Sequence, residues 1–543
     1  MSEHIELGAL RYRRNYADEI LRLSAMLTPF ASLHKHEQDL RDIVSSMDSP
    51  FRIAVYGYMK RGKSSLINAL IGQKLTVTGT EETTATVNHI THAPGTACSE
   101  FTAYWKNSPP QRFPLPNLSE WSGKDDAVEE KVRNLNYLEF YSDSPLVRQM
   151  NIIDTPGIGS GADFHEAVAR QFLSGGNTDA LIYVFGSVVR QEDVQALNRF
   201  RELSLQGYDA YNCMGILHLW DDMYWNSARE HASADECLQM ISNRAGELKA
   251  RHGTLLRNVL PVSAPLGLLA TVAPPDFWES VLELLGTYDS HDLMLQSLDA
   301  NERIWKRKGA AIYTLWERCS PFELPLSSFR MMLHYLYDKA PATPAEARSL
   351  TRRLSGLPQL HLALDADFFK RRTVIALRQI RSRVQEVLRK STEAMSDMVH
   401  DYEREVQYFE DVYKCLTDAR LKNETQYLSK RAQAHIEQLS TSLHEFDSLR
   451  IRIAEKVQRM DDALYLAREW QDRERWLTEQ QLMVLDSCVE LILRESELTA
   501  QQAGEYYSKL NGIAGQLTFA PSLVARKCGQ KVSSVAAHFL EKC

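Results

Sequence analysis

The sequence predicts an α/β domain with a largely parallel sheet, set within an all-α, elongated helical bundle, or trunk, supplied by both ends of the chain. Two observations carry this. Across residues 51–270, strand-like apolar runs at 53–56, 150–153, 180–185, 214–219 and 258–262 alternate with helical stretches, the pattern of a sheet with helices on its faces. Residues 359–503 then contain neither glycine nor proline, although the chain holds 25 Gly and 19 Pro. Long helices need such a gap, since each breaker costs roughly 1 kcal/mol for Gly and 3 for Pro in a helix interior.

From the N-terminus, residues 15–47 read as helix, broken at Pro29, with Ile20, Leu23, Met26 and Leu27 on one face. Ser49-Pro50 ends it and a β-type run begins at Phe51. In the breaker-free region, Ile436, Leu439, Leu443, Phe446, Ile453, Val457, Met460, Leu464 and Ala467 recur mostly every three or four residues, the period of a bundle or coiled-coil seam. A single helix of that length would reach about 220 Å, so antiparallel segments are expected, turning near Asn423 and near 471–473. The expected layout is residues 1–50 as an N-terminal helix, 51–372 as the α/β domain and 373–543 as the bundle.

Composition narrows the function classes. Of 543 residues, 44% are hydrophobic and 25% charged, values of a folded globular chain rather than a collagenous or disordered one. Lys+Arg 63 against Asp+Glu 71 leaves a net charge of -8, so no duplex nucleic-acid partner is expected. Eight scattered cysteines without a Cys-x-x-Cys pair suit reduced thiols in a cytoplasmic protein. No apolar run reaches 18 residues, so any membrane contact is expected to be peripheral.

The chemistry concentrates at the end of the first strand. Gly57-Tyr58-Met59-Lys60-Arg61-Gly62-Lys63-Ser64-Ser65 is G-x-x-x-x-G-K-S between a strand and a helix, a loop whose backbone N–H groups cradle phosphates at a helix N-terminus. Lys63 would neutralise phosphate oxygens, and the Ser64 hydroxyl would ligate Mg²⁺. Asp154-Thr-Pro-Gly157 places D-x-x-G after an apolar strand: Asp154 would hold Mg²⁺ through its water shell, and the Gly157 N–H would sense the terminal phosphate. In the polar segment 82–86, Thr84 is the candidate to coordinate Mg²⁺ and position the attacking water. Of the four-residue base-recognition motif Asn-Lys-x-Asp, only the acid survives, at Asp221 of His218-Leu219-Trp220-Asp221. Trp220 could add stacking, and Ser263-Ala264 would complete the base pocket through the Ala264 N–H.

Together these residues resemble the dynamin superfamily, and within it the bacterial dynamin-like GTPases. The run from Gly57 to Gly72 looks like that family's extended P-loop and following helix, and Thr84-Ala85 like its switch threonine. Residues 355–364 resemble the helix that closes such a domain, which would make 270–345 an insertion. A further similarity, through Met59-Lys60 and residues 90–95, is to the enterobacterial clamp-binding dynamin-like factor, although no clamp-binding peptide is visible. The resemblance implies a GTPase head on a helical trunk against which the N-terminal helix packs. It also implies GTP and GDP as ligands, Mg²⁺ as cofactor and dimerisation through the heads.

Two departures bear on mechanism. Lys60 stands where dynamins place serine, and Ile158 follows D-x-x-G where related enzymes carry a water-orienting glutamine; Lys60 or Arg61 is therefore expected to supply positive charge at the bridge between the β- and γ-phosphates. For a peripheral membrane contact the sequence offers two candidates. Eight basic residues lie within 370–390 against one acid, Glu386, and an apolar turn flanked by Arg526, Lys527 and Lys531 lies at 511–527. The alternative function is a slow nucleotide-dependent switch or scaffold whose trunk binds a protein partner; a third reading is an ATPase using the same loop.

Overall fold

The computed structural model describes residues 2–47, 50–75, 87–93, 99–121, 134–155, 178–187, 212–253, 255–468, 470, 473–493 and 498–541. The chain divides into two compact units, one of Pro50–Ile375 and one of Met1–Ser49 with Ala376–Cys543. The expected sites Thr84 and Gly157 lie outside the described residues, as do Ala85 and Ile158.

The chain opens with α1 (Ser2–Leu27) and α2 (His34–Ser46), the break falling at 28–30, around Pro29. Pro50–Ile375 then contains β1 (Arg52–Gly57), α3 (Lys63–Ile71), β2 (Asn88–His92), β3 (Glu100–Trp105), β4 (Gln111–Pro114), β5 (Leu135–Ser142), β6 (Asn151–Asp154), β7 (Ala180–Phe185) and β8 (Cys213–Leu217). There follow α4 (Asp221–Arg229), α5 (Ala234–His252), β9 (Val259–Pro261), α6 (Ala264–Val272), α7 (Pro275–Leu285), α8 (His291–Asp299), α9 (Glu302–Lys308), α10 (Ala311–Glu317), α11 (Leu326–Lys339), α12 (Pro344–Leu354) and α13 (Leu357–Asp367).

The described strands form one sheet in the order β4-β3-β5-β2-β6-β1-β7-β8-β9. The run from β6 to β9 is parallel. On the other side, β2 is antiparallel to β6 and parallel to β5, and β3 is antiparallel to both β5 and β4. The expectation of a largely parallel sheet therefore covers five strands, and the whole is mixed. Strands β1, β7 and β8 are buried on both faces and read as continuous apolar runs. In β5, by contrast, buried Leu138 and Phe140 alternate with partly exposed Tyr137 and Glu139, so the four strands of the mixed wing carried no apolar run to find.

Each face has its own core. Leu66, Ile67 and Leu70 of α3, with Leu360 and Leu364 of α13, cover Ile53, Val55 and Val184. On the opposite face Tyr183 and Phe185 meet Trp220, Tyr224, Trp278, Trp305 and Phe329. The stretch 270–345, expected as an insertion, thus shares a core with the sheet. The chain returns from it through Gly356, where φ is +72° and a Cβ would strike the Pro261 carbonyl; beside it Ser355 accepts the Ser263 N–H at 2.8 Å.

The second unit is built on α14 (Arg372–Cys415) and α15 (Ala419–Arg468), about 66 and 75 Å of helix. They are antiparallel: contacts step from Arg381–Gln458 to Thr392–Asp447 to a Tyr402–His435 ring stack. Thr425, Ala432, Leu439, Phe446 and Ile453 are buried along one line of α15 at heptad spacing. The turn comes at 416–418 rather than near Asn423, because the Asp418 carboxylate caps the Arg420 and Leu421 N–H groups. Beyond α15 come α16 (Arg473–Trp476), α17 (Glu479–Leu493), α18 (Ala500–Thr518) and α19 (Leu523–Leu540); of the second expected turn, 471 and 472 lie outside the described residues. Helix α1 packs on α15 and α17, and Lys531 of α19 donates to Asp462 of α15 at 2.7 Å.

Neither candidate membrane segment has a single character. Basic residues of 370–390 find partners nearby: Arg389 with Glu386 and Glu393, Lys370 with Asp365, and Arg381 with Gln458. Further along the same helix, acidic Asp401 and Asp411 pair with Arg404 and Lys414. At the 511–527 turn, Ile513, Ala514 and Leu517 are buried, whereas Phe519 is 89% exposed, Leu523 61% and Val524 52%.

Candidate functional site

The phosphate loop joins β1 to α3 with a backbone that its glycines make possible. Gly57 has φ +153° and a Cβ there would lie 2.6 Å from the Val184 carbonyl oxygen of β7; Gly62, the N-cap of α3, has φ +81° and a Cβ there would meet the His218 ring at 2.6 Å. Lys60 also adopts a positive φ, 59°. The first turn of α3 thus points its N–H groups toward the carboxyl end of the parallel strands, where anions bind.

Lys63 is buried, and its ammonium donates to the carbonyls of Gly57 and Tyr58, both at 3.2 Å. Burial lowers its pKa to about 8, opposed by the Asp154 carboxylate and helped by Arg61. Ser64 Oγ donates to Asp154 Oδ2 at 2.8 Å. Asp154 is fully buried, and burial raises its pKa to about 6 against the pull of Lys63, Ser64 and Asn88. Its Oδ1 has no hydrogen-bond partner among the described residues. Thr155 Oγ1 donates to the Val55 carbonyl at 2.7 Å and ties the end of β6 to β1. A hydroxyl and a carboxylate with one unsatisfied oxygen, 2.8 Å apart, fit a hard oxygen-seeking cation such as Mg²⁺.

The structure brings Lys63, Ser64 and Asp154 together, with the Arg61 guanidinium close enough to act on the Lys63 charge. Lys60 is exposed, and the Arg61 guanidinium lies over Gly186, just past β7. Tyr58, Met59 and Ser65 are half-buried around the loop.

At the expected base pocket, Asp221 opens α4 and is 2% exposed. Burial raises its pKa to about 6, the Ser263 and Ser328 side chains pull it back, and its Oδ1 lacks a partner among the described residues. Trp220 is 1% exposed and packs in the core near Tyr224, so the stacking role considered for it does not fit its position. The Ala264 N–H, expected to face the base, donates instead to Nε2 of His218 at 3.3 Å.

His218 is the site residue that sequence reasoning missed. It is 1% exposed, and burial lowers its pKa to about 4, so the ring is neutral at physiological pH. With Nε2 accepting from Ala264, the proton sits on Nδ1, on the side of the ring that meets Gly62. One imidazole therefore links the phosphate loop to the loop after β9. The signal was its position: it stands where the motif has asparagine, which can make the same kind of bridge.

Residues 53–218 match the family model described as the dynamin family. Over 172 residues the chain is 24% identical to an uncharacterized protein in the xynA 3′ region of Caldicellulosiruptor sp. (strain Rt8B.4), covering 32% of this chain and 40% of that one. Over 232 residues it is 25% identical to the isoniazid-induced protein IniC of Mycobacterium tuberculosis, covering 42% and 45%. The chain thus spans less than half the length of either relative. A solved structure described as an oligomerised bacterial dynamin pair for long-range sensing and tethering of membranes aligns with 97% of this chain and 95% of its own, at 13% identity and a TM-score of 0.33.

Proposed function

We propose that this chain, whose residues 53–218 match the dynamin family, is a bacterial dynamin-like GTPase that hydrolyses GTP with Mg²⁺ and couples turnover to self-association and peripheral binding of an anionic membrane. The observation that carries the reading is the cluster of buried Lys63 and Asp154 with half-buried Ser64 at the start of α3.

Ser64 and Asp154 would hold Mg²⁺, which when bound supplies charge neutralisation on the phosphate oxygens. The backbone N–H groups at the start of α3 orient the phosphates. Lys63, freed from the Gly57 and Tyr58 carbonyls, places its ammonium on the oxygens that gain charge in the transition state. Thr84 would position the attacking water and Gly157 would sense the terminal phosphate. Asp221 would accept from the guanine edge, with Ser263 and Ala264 walling the base. Lys60 and Arg61 would add cis charge only after swinging from their positions in the structure.

Turnover measured across protein concentration tests this. GTPase activity abolished by Lys63→Ala, with specific activity rising with concentration, is the expected result. No GTP turnover at any concentration would overturn the enzyme reading, and ATP outcompeting GTP would overturn the choice of base.

The exposed Tyr408, Tyr427, Leu421 and Leu428 around the α14–α15 turn favour a second reading, a slow nucleotide-dependent switch whose trunk binds a protein partner. Sedimentation with anionic liposomes, with and without a non-hydrolysable GTP analogue, separates the two: absence of lipid binding in both states would sink the membrane reading.

A further inference from the structure

We propose that His231, His291 and Asp292 form a binding site for a divalent transition-metal ion of the zinc class, clamping the turn between α4 and α5 to the start of α8. The three side chains each bring a ligand atom to within 4.8 Å of the others. Nδ1 of His231 and Oδ1 of Asp292 are 3.5 Å apart. Tetrahedral zinc with bonds of about 2.0–2.1 Å places ligand atoms roughly 3.3 Å from one another. One pair is thus close to coordination spacing, and rotation of exposed side chains by on the order of 1 Å closes the set. Two imidazoles with one carboxylate select zinc and its neighbours over Mg²⁺ or Ca²⁺, which prefer all-oxygen shells. Three protein ligands leave a fourth position for water.

A second observation distinguishes this cluster from a chance surface ion pair, which would contribute little. Nε2 of His291 lies 3.3 Å from Nε2 of His334, whose Nδ1 lies 3.0 Å from the Tyr224 hydroxyl oxygen. His334 and Tyr224 are fully buried. If His291 coordinates through Nδ1, its Nε2–H donates to His334 and the His334 Nδ1–H donates to Tyr224. A metal-ligating histidine characteristically gives its other N–H to such a fixed acceptor, which sets the tautomer and the ring plane. His231 itself has φ +64°, a left-handed conformation that histidine, asparagine and aspartate adopt more readily than other non-glycine residues. Because α4 begins at Asp221, the metal would fix the far end of the helix that carries the base-pocket carboxylate.

The test uses the full chain, stripped with chelator and titrated calorimetrically with Zn²⁺ alone, beside the double variant His231→Asn, Asp292→Asn. Asparagine tolerates the left-handed backbone, and both residues are exposed, so the metal-free variant should unfold at the temperature of the parent. The expected result is one more zinc per chain in the parent than in the variant, with a zinc-induced rise in Tm confined to the parent. His334→Gln, a change in the positioning residue, should weaken that zinc about 10- to 100-fold at unchanged stoichiometry. A Co²⁺ spectrum of four-coordinate type should be lost in the double variant. Equal zinc stoichiometry and affinity in parent and double variant would overturn the proposal.

Discussion

At the residue scale, the phosphate site holds two ionisable groups, Lys63 and Asp154, whose burial opposes their charge, and this gives the nucleotide-free protein a defined pH signature. Asp154 has a pKa of about 6 folded against 3.8 as a free side chain. Between those values the folded state binds more protons than the unfolded one, so its contribution to stability is complete below 3.8 and is lost as pH rises through 6. The change corresponds to roughly 3 kcal/mol. Lys63, lowered from 10.5 to about 8, acts in a higher window: stability recovers as pH rises from 8 to 10.5. Urea denaturation of parent and Asp154→Asn should show the parent's advantage shrinking between pH 4 and 7 by that amount. A difference independent of pH would place Asp154 in water.

His218 and Gly62 supply a second residue-scale prediction. Gly62→Ala should cut nucleotide affinity at least tenfold, since the added methyl meets the His218 ring and the backbone is left-handed. Pairing it with His218→Ala removes the steric part and leaves the backbone part. The double variant should therefore lose less than the sum of the two single changes, read by titration with a fluorescent GTP analogue. Strict additivity would mean that ring and loop do not touch in the binding-competent state.

At the element scale, burial decided what could be read from the sequence. Strands β1, β6, β7 and β8 announced themselves because central parallel strands bury both faces, and the short edge strand β9 through its apolar run; β2 to β5 did not, since the mixed wing half-exposes Tyr104, Tyr137 and Tyr141. The Lys63, Ser64 and Asp154 constellation was legible because its chemistry fixes residue types at fixed spacing. The His218 bridge was marked only by its register, three residues before Asp221 where the base motif has asparagine, and the change of residue type hid it. In α15 the heptad was visible, while the turn before it was misplaced because a capping aspartate, not the asparagine, starts the helix. That heptad predicts a cost: Phe446→Ala removes a fully buried ring and should destabilise by about 3–5 kcal/mol. A chemical-denaturation loss under 1 kcal/mol would mean that the line of residues is not a packed seam.

At the scale of the whole molecule, the question is how a chain with no described helix long and apolar enough to cross a membrane could engage one. The α18–α19 turn has the required asymmetry. Ile513, Ala514 and Leu517 face inward with Ala525, Cys528 and Val532, so the hairpin is fixed by its own core, while Phe519, Leu523 and Val524 stand exposed beside Arg526 and Lys527. Burying a large apolar side chain in an interface yields on the order of 1.5–3 kcal/mol, and each basic neighbour about 1 kcal/mol at an anionic surface. Together these would suffice for the reversible attachment proposed above. Phe519→Glu with Leu523→Glu should therefore abolish sedimentation with phosphatidylserine-containing liposomes while leaving Tm within a degree or two, because neither side chain packs in the hairpin core. Raised salt should weaken binding of the parent but not eliminate it, since the apolar share is insensitive to screening. If the double variant sediments like the parent, the turn is not the contact, and the exposed aromatic end of the α14–α15 hairpin becomes the surface to mutate next.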